Sequence, residues 1–194
     1  MAENEVKQLI SQLESLKSNN LQQAPQLLSR AKIALLNLHV LVPNEQTQPQ
    51  HLLLATTVLE LGALISIRLK DTDSFTRYFQ QLQIFYNLSA ERWSRAGRPS
   101  NQSKVTGLYL LLLLSVGDNA GFHTVLEGLE TSSGKEELEQ NQFIQYPLRL
   151  EQALMEGSYD KVWGETKGER VPSEEFGVFS EVRSHRVRNV CTMD

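Results

Sequence analysis

The sequence predicts an all-α protein. Apolar residues recur at the i, i+3, i+4 and i+7 spacing of a helix with one buried face, and the clearest example runs from Phe75 to Tyr86. The alternation of apolar and polar residues that marks a strand is not sustained in the first 170 residues, where β-branched residues do not cluster either. These observations together favour a helical fold for this region.

The elements follow from apolar periodicity and from the turn residues between periodic stretches. Val6, Leu9 and Leu13 define the first helix, and short polar or proline-containing turns at 18–20, 42–44 and 117–119 separate later ones. Pro147 is expected to kink or restart its helix, because proline lacks a backbone N–H. The predicted helices span 3–17, 24–42, 50–70, 73–87, 101–116, 119–130, 137–156, 158–166 and 174–190.

The joints between helices resemble one another. In each, a helix rich in leucine gives way to a short polar turn, and an apolar residue then opens the next helix. The pattern predicts a stack of antiparallel helix pairs, an α-solenoid of the tetratricopeptide type. The four joints run from Leu16 to Leu21, Leu69 to Phe75, Leu114 to Phe122 and Leu154 to Tyr159.

Charge and hydropathy argue against two kinds of partner. The 194 residues carry a formal net charge of −4, whereas proteins that bind nucleic acid through phosphates have a basic excess. The apolar stretch 52–69 contains Glu60 and Arg68, and the stretch 105–116 is too short to span a bilayer. We expect a soluble protein of the cytoplasm and nucleus that binds neither nucleic acid nor membrane.

The sequence offers no residues in a catalytic or metal-binding pattern. None of its four histidines lies at a metal-ligand spacing from another histidine or a glutamate, and the single cysteine, Cys191, has no partner histidine in a recognisable motif. Phosphate-binding loops and hydrolase elbows are also absent. We therefore predict a protein that is not an enzyme, with no catalytic, cofactor-binding or metal-binding residues.

One segment has the composition of a protein interface. Tyr86, Arg92 and Trp93 combine aromatic rings with arginine, the residue types that dominate binding energy at interfaces. An alternative for this basic region, which continues to Lys104, is contact with RNA. The acidic total favours a protein partner instead.

Five blocks, taken in order, resemble one family of assembly subunits. They are Ala31–Leu38, Val58–Ile67, Asp73–Leu82, Lys104–Ser115 and the most specific one, Tyr146–Trp163. Together they resemble the PCI-type family that comprises a small non-ATPase subunit of the 26S proteasome lid, the eighth COP9 signalosome subunit and the k subunit of translation initiation factor three. The last block favours the proteasome member over the other two.

The resemblance implies a helical-repeat PCI arm followed by a winged-helix module, and a non-catalytic role in lid assembly and ubiquitin-dependent protein degradation. It implies neighbouring PCI lid subunits as partners, together with a ubiquitin-receptor subunit. No cofactor is implied.

The resemblance also implies a division of the chain. The family continues past the position of Asp194, so we expect residues 1–170 to form the arm and residues 171–194 to supply only the start of a truncated winged-helix module.

Overall fold

The computed structural model describes residues 2–15, 18–44, 47–88, 93, 99, 101–133, 138, 140–166 and 171–178. These residues form helices and turns, and no strand occurs among them, so the all-α prediction is confirmed. The chain divides into two compact units, Met1–Gln102 and Ser103–Asp194. The domain boundary predicted after residue 170 stays a prediction, and residues 171–178 lie in the second unit.

The first unit contains two successive pairs of helices. A 3-10 helix, Ser18–Gln23, lies between the members of the first pair. The α-helices are α1 (Ala2–Ser15), α2 (Ala24–Asn37), α3 (Pro49–Arg68) and α4 (Thr72–Tyr86).

Local chemistry explains where these helices begin. Pro25 and Pro49 lie in the first turns of α2 and α3, where the missing N–H leaves no intrahelical bond unmade. Asp71 caps α4, because its carboxylate accepts a 3.0 Å hydrogen bond from the backbone N–H of Ser74. That bonding with Ser74 also holds the pKa of the Asp71 carboxyl below its usual range.

The core of the first unit lies around α3. α1 packs on α2, α3 packs on α4, and both α1 and α2 contact α3. Only residues 69–71 separate α3 from α4, so these packed helices are antiparallel, as predicted for a helix pair. One buried cluster joins three of the helices and consists of Leu13, Ala24, Leu28 and Ile65.

Gly62 allows close contact in the middle of α3. A Cβ atom at this position would collide with the ring of Tyr78 from α4. The Nζ of Lys32, from α2, lies 4.0 Å from the centroid of the same ring, a cation–π geometry. The Tyr78 ring thus contacts both neighbouring helices.

The second unit is also helical in its described part. A short helical segment at 174–178 follows its longer helices. The longer helices are α5 (Gln102–Val116), α6 (Asn119–Ser133), α7 (Gln142–Met155) and α8 (Tyr159–Thr166). Gln102 itself belongs to the first unit.

Of the two outcomes expected at Pro147, a restart of the helix is wrong, since α7 runs through this residue from Gln142 to Met155, and a kink stays a prediction. Proline at this position leaves the carbonyl of Phe143 without its i+4 donor. A Cβ atom at Gly107 of α5 would collide with that same carbonyl oxygen. Glycine has no Cβ atom, so it leaves this space to the carbonyl.

The segment 174–178 is anchored on the second unit by one ion pair and one aromatic ring. The buried Glu175 carboxylate lies 3.0 Å from the Nζ of Lys104 in α5. The fully buried ring of Phe176 lies 5.8 Å from the rings of both Phe143 and Tyr146 in α7. The segment therefore completes the core between α5 and α7.

Four helices end in the same backbone motif. After α3, the N–H of Lys70 donates to Ile67 and the N–H of Asp71 donates to Ser66, both at 2.9 Å. This is the Schellman pairing, which needs a positive φ at its central residue. The central residues are His39 (φ 54), Lys70 (φ 59), Gly117 (φ 84) and Gly157 (φ 68).

Some predicted helix bounds are corrected. The second helix ends at Asn37 rather than 42, because His39 adopts a left-handed conformation that terminates it. The helix predicted at 137–156 is interrupted at Asn141. Residues 138 and 140 are helical, and α7 begins at Gln142, where the Asn141 side chain accepts a hydrogen bond from the N–H of Phe143 and caps it. Beyond residue 178, the helix predicted at 174–190 and Cys191 lie outside the described residues.

Within the described part of the chain, α3 alone is long and apolar enough to cross a membrane by length and composition. However, 67% of its most apolar window is buried inside the protein, as expected of a core helix. Its burial against α1, α2 and α4 accounts for its apolar composition.

Candidate protein interface

The predicted interface residue Tyr86 ends α4 and is held by a buried carboxyl group. Its hydroxyl donates a 2.9 Å hydrogen bond to Oε1 of Glu60, in the middle of α3. Asn101, which precedes α5, also hydrogen-bonds to the Glu60 carboxyl through its side chain and its backbone. The Glu60 carboxyl group therefore links α3 to Tyr86 at the end of α4 and to Asn101 just before α5.

Burial controls the chemistry of this group. Glu60 is 1% exposed, and removal from water raises the pKa of its carboxyl, while the bonds from Tyr86 and Asn101 act in the opposite direction. Burial also raises the pKa of Tyr86 well above its usual value, with the charge of Glu60 adding to the effect. The Tyr86 hydroxyl consequently remains protonated and available as a donor.

Of the other two predicted interface residues, the structure describes Trp93 but not Arg92. Trp93 is helical and only 4% exposed, so most of its indole packs within the protein. Arg92 lies outside the described residues. An interface at Tyr86, Arg92 and Trp93 stays a prediction.

Sequence reasoning did not single out two exposed apolar residues on α2. Ile33 and Leu36 are 59% and 57% exposed. The buried stripe of α2 runs through Ala24, Leu28 and Ala31 to Leu35 at helical spacing. A helical wheel drawn on that stripe would have placed Ile33 and Leu36 off it.

A charged groove lies between α7 and α8. It has a volume of about 540 Å³ and is lined by Arg149, Gln152, Ala153, Glu156, Asp160, Lys161, Gly164 and Glu165. Ion pairs cross it, with 3.2 Å between Arg149 Nε and Glu165 Oε2 and 2.8 Å between Lys161 Nζ and Glu156 Oε2. Such a surface suits polar contacts with another protein.

Tyr146 lies close enough to Glu165 and Arg149 of the charged groove for both charges to act on its hydroxyl. Its side chain is buried, and its hydroxyl has no hydrogen-bond partner among the described residues. Burial raises the pKa of Tyr146, and the nearby charge of Glu165 raises it further. The hydroxyl is therefore protonated at neutral pH.

Metal coordination has no obvious location in the described residues, where no three His, Cys, Asp or Glu side chains are grouped to hold an ion. His123 and Glu151 approach each other at 3.6 Å as a pair. Two ligands are fewer than the four that a structural zinc site uses.

Comparison with known proteins identifies the region that starts just before α5. Residues 100–179 match the model of the CSN8/PSMD8/EIF3K family. The resemblance inferred from the sequence blocks is thereby confirmed, and the matched region of the family spans α5 to the segment 174–178.

Individual relatives extend the similarity into the first unit. The chain is 33% identical over 167 residues to the 26S proteasome regulatory subunit RPN12 of Saccharomyces cerevisiae, covering 84% of this chain and 59% of the relative. It is 35% identical over 162 residues to rpn12 of Schizosaccharomyces pombe, covering 84% and 55%. For the 26S proteasome non-ATPase regulatory subunit 8 of Caenorhabditis elegans, identity is 30% over 139 residues, covering 72% and 51%.

The chain thus spans between half and three fifths of the length of these relatives. All three are regulatory subunits of the 26S proteasome by name. Because all three relatives have proteasome names, the chain resembles the proteasome members of the family. The comparisons do not favour the initiation-factor or signalosome alternatives.

Proposed function

We propose that this protein is a structural subunit of the 26S proteasome regulatory particle lid and supports ubiquitin-dependent degradation through protein–protein contacts. The observation that carries the proposal is the similarity to two yeast regulatory subunits over 84% of the chain. An alignment of that extent includes residues of both compact units.

The proposed role is non-catalytic. The relatives are named as regulatory subunits, and the helices of each unit bury their apolar faces against one another, which leaves surfaces whose shape is fixed without a ligand. Pre-organised surfaces lose little conformational entropy on binding. A scaffold subunit acts in this way.

The proposed partners are neighbouring PCI subunits of the lid and a ubiquitin-receptor subunit, in the cytoplasm and the nucleus. The charged groove between α7 and α8 supports a protein partner, because paired charges at an open surface can be shared with a complementary surface. The overall acidic charge supports the choice of protein over nucleic acid.

Affinity purification tests the proposal. The full chain would be tagged, expressed in cells and purified at moderate salt, and co-purifying proteins would be identified by mass spectrometry. We expect lid subunits to be enriched over a tag-only control, after circular dichroism has established that the tagged chain is helical. Enrichment of signalosome subunits, or co-sedimentation with ribosomal initiation complexes, would overturn the proposal in favour of the corresponding alternative assembly.

A further inference from the structure

Helix α2 carries an apolar pair that the core of the first unit does not use. Ile33 and Leu36 are more than half exposed, and they lie three positions apart, so they are neighbours on one face of the helix. The other large apolar side chains that are exposed among the described residues are isolated along the chain, between helices or near helix ends, as is common for single residues. These are Val42, Leu69, Ile84, Val116 and Met155.

The surroundings of the pair are cationic. α2 contains two basic residues, Arg30 and Lys32, and no aspartate or glutamate. Arg30 is exposed and precedes Ile33 by three positions, so it lies on the same face. The ammonium group of Lys32 lies over the Tyr78 ring, which supplies no counter-ion. Neither cation is ion-paired with a described residue, so the positive charge of α2 is uncompensated in a chain of net charge −4.

A hydroxyl group on the same face is already hydrogen-bonded. Ser29 lies one turn before Ile33, and its Oγ donates a 2.8 Å hydrogen bond to the carbonyl of Pro25 in the same helix. A partner that covers this face therefore leaves no serine donor unpaired, and the cost of burying an unsatisfied group does not arise. The face combines an apolar centre with polar and cationic neighbours, which is the composition of a protein interface.

Charge decides between two occupants of this face. In a dimer built on it, two α2 helices would meet, each with two cations and no carboxylate to oppose them. Like charges brought together at an interface disfavour association. A partner helix with aliphatic residues on its contacting side and carboxylates beside them covers the apolar pair and compensates Arg30 at the same time.

We propose that the face of α2 formed by Arg30, Ile33 and Leu36 is a docking site for an acidic amphipathic helix of a protein partner. Ile33 and Leu36 pack against the aliphatic side of that helix, and the guanidinium of Arg30 pairs with a carboxylate next to it. The docking site rests on the proposed function only for the partner's place in the lid.

The first experiment identifies what covers the face. The full chain, with p-benzoylphenylalanine in place of Asn37, is expressed in cells and irradiated, and the crosslinked peptide is sequenced by mass spectrometry. Asn37 is exposed one turn after Ile33, so this position leaves the docking site intact. We expect a protein product joined through a segment with apolar residues at helical spacing and more acidic than basic residues. The same photoprobe in place of Gln80, which is exposed on α4, is the control and should not give that product.

Substitution of the apolar pair tests its contribution to binding. Ile33→Ser combined with Leu36→Gln should lower the crosslinking yield at position 37 by about tenfold. Serine ranks with isoleucine and glutamine with leucine in helix propensity, so the melting temperature measured by circular dichroism should not change. Ile84→Ser is the matched control, because it removes an isoleucine that is 51% exposed on α4, and it should leave the yield as in the parent.

Charge variants test the acidic character of the partner. Arg30→Gln should lower the yield about threefold, and Arg30→Glu, which opposes one carboxylate to another, about tenfold. The difference between these variants should disappear when the irradiation is repeated in lysate at about 1 M salt, where charges are screened beyond about 3 Å. Equal yields for the two variants at low salt would overturn the assignment of an acidic partner.

The docking site and the proposed function fail in different ways. A chain that gives no protein product at position 37, a product with a second copy, or a product that persists after Ile33→Ser with Leu36→Gln overturns the docking site. A partner segment with a basic excess overturns its proposed chemistry. An acidic segment that depends on the apolar pair but belongs to a protein outside the 26S proteasome supports the docking site and contradicts the proposed function.

Discussion

The central helices of the two units, α3 and α5, have similar packing features, but different atoms make the contacts. Each is largely buried, and each contains a glycine at which a neighbouring helix makes close contact. Each also contributes to a buried polar pair that includes a glutamate. The two helices therefore share an organisation, although the contacting atoms differ.

In the first unit, the contacting group at Gly62 is the Tyr78 side chain, and the buried carboxyl of Glu60 is bonded to neutral donors. In the second unit, the group that meets Gly107 is a backbone carbonyl, and the buried Glu175 pairs with a lysine cation. A side chain can rotate away from a clash, whereas a backbone carbonyl inside a helix cannot. The second unit should thus tolerate change at its central helix less well than the first.

The largest expected difference in stability is between alanine substitutions at the two glycines, Gly107 and Gly62. Gly107→Ala should lower the free energy of unfolding by about 3 kcal/mol, since the new methyl group collides with the Phe143 carbonyl and forces α5 and α7 apart. Gly62→Ala should cost only about 1 kcal/mol, because the Tyr78 ring can shift and alanine has the better helix propensity. Urea denaturation followed by circular dichroism measures both.

The matched control for the glycines is Gly128→Ala in α6. Nothing lies within 4 Å of a Cβ atom at this helical position, so the substitution should stabilise the protein by up to about 1 kcal/mol through helix propensity alone. Equal losses at Gly62 and Gly107 would contradict the distinction between a side chain and a backbone neighbour.

The interactions of the two buried glutamates, Glu60 and Glu175, should differ by a smaller amount in the free energy of unfolding that they contribute. Lys104→Met should destabilise the protein by about 2 kcal/mol, because it removes the cation that compensates the buried Glu175 carboxylate. Adding Glu175→Gln to Lys104→Met should recover part of that loss. Glu60→Gln alone should cost less than about 1 kcal/mol, since the hydrogen-bond partners of Glu60 are neutral. A double-mutant cycle in urea measures the coupling, and strictly additive losses for Lys104 and Glu175 would refute the pairing.

Glu60 should contribute to the pH dependence of stability, and the direction of its pKa shift fixes the sign of that contribution. Because burial raises the pKa of its carboxyl in the folded state, the folded protein binds this proton more tightly than the unfolded chain. The stabilisation is complete below the unfolded pKa and is lost as the pH rises through the folded one.

Wild-type protein should therefore lose stability relative to Glu60→Gln as the pH is raised from about 4, where a glutamate carboxyl ordinarily titrates, to neutrality, with about 1.4 kcal/mol for each unit of pKa shift. Urea titrations of both proteins at the two pH values measure this difference. A difference that is constant with pH would rule out the proton linkage.

Part of this comparison could be predicted from the sequence. Apolar periodicity identified α3 to α6 within a few residues, and a glycine inside a helical pattern is in general a signal of a close packing contact. Neither signal reveals which atoms approach, because the Tyr78 ring and the Phe143 carbonyl reach the glycines only through tertiary packing. For the same reason, the sequence alone could not show that α7 continues through Pro147, where Gly107 leaves space for the carbonyl that proline leaves without a donor.

The candidate interface was less predictable than the fold. Aromatic and arginine composition drew attention to Tyr86 and Trp93, but composition does not indicate burial. The bond from Tyr86 to Glu60 spans 26 positions in the chain. Only the folded arrangement of α3 and α4 brings these two side chains together.

The smallest expected difference concerns the turns that end α3 and α7. Lys70 and Gly157 occupy equivalent Schellman positions with positive φ, a conformation that costs a residue with a Cβ atom more than it costs glycine. Lys70→Gly should therefore stabilise the first unit by about 0.5 kcal/mol, and Gly157→Ala should destabilise the second by about 1 kcal/mol. Lys70→Ala serves as the control, since it removes the lysine side chain and keeps the unfavourable φ. Thermal and urea denaturation measure all three variants, and a Lys70→Gly protein no more stable than Lys70→Ala would show that the backbone of this turn is unstrained.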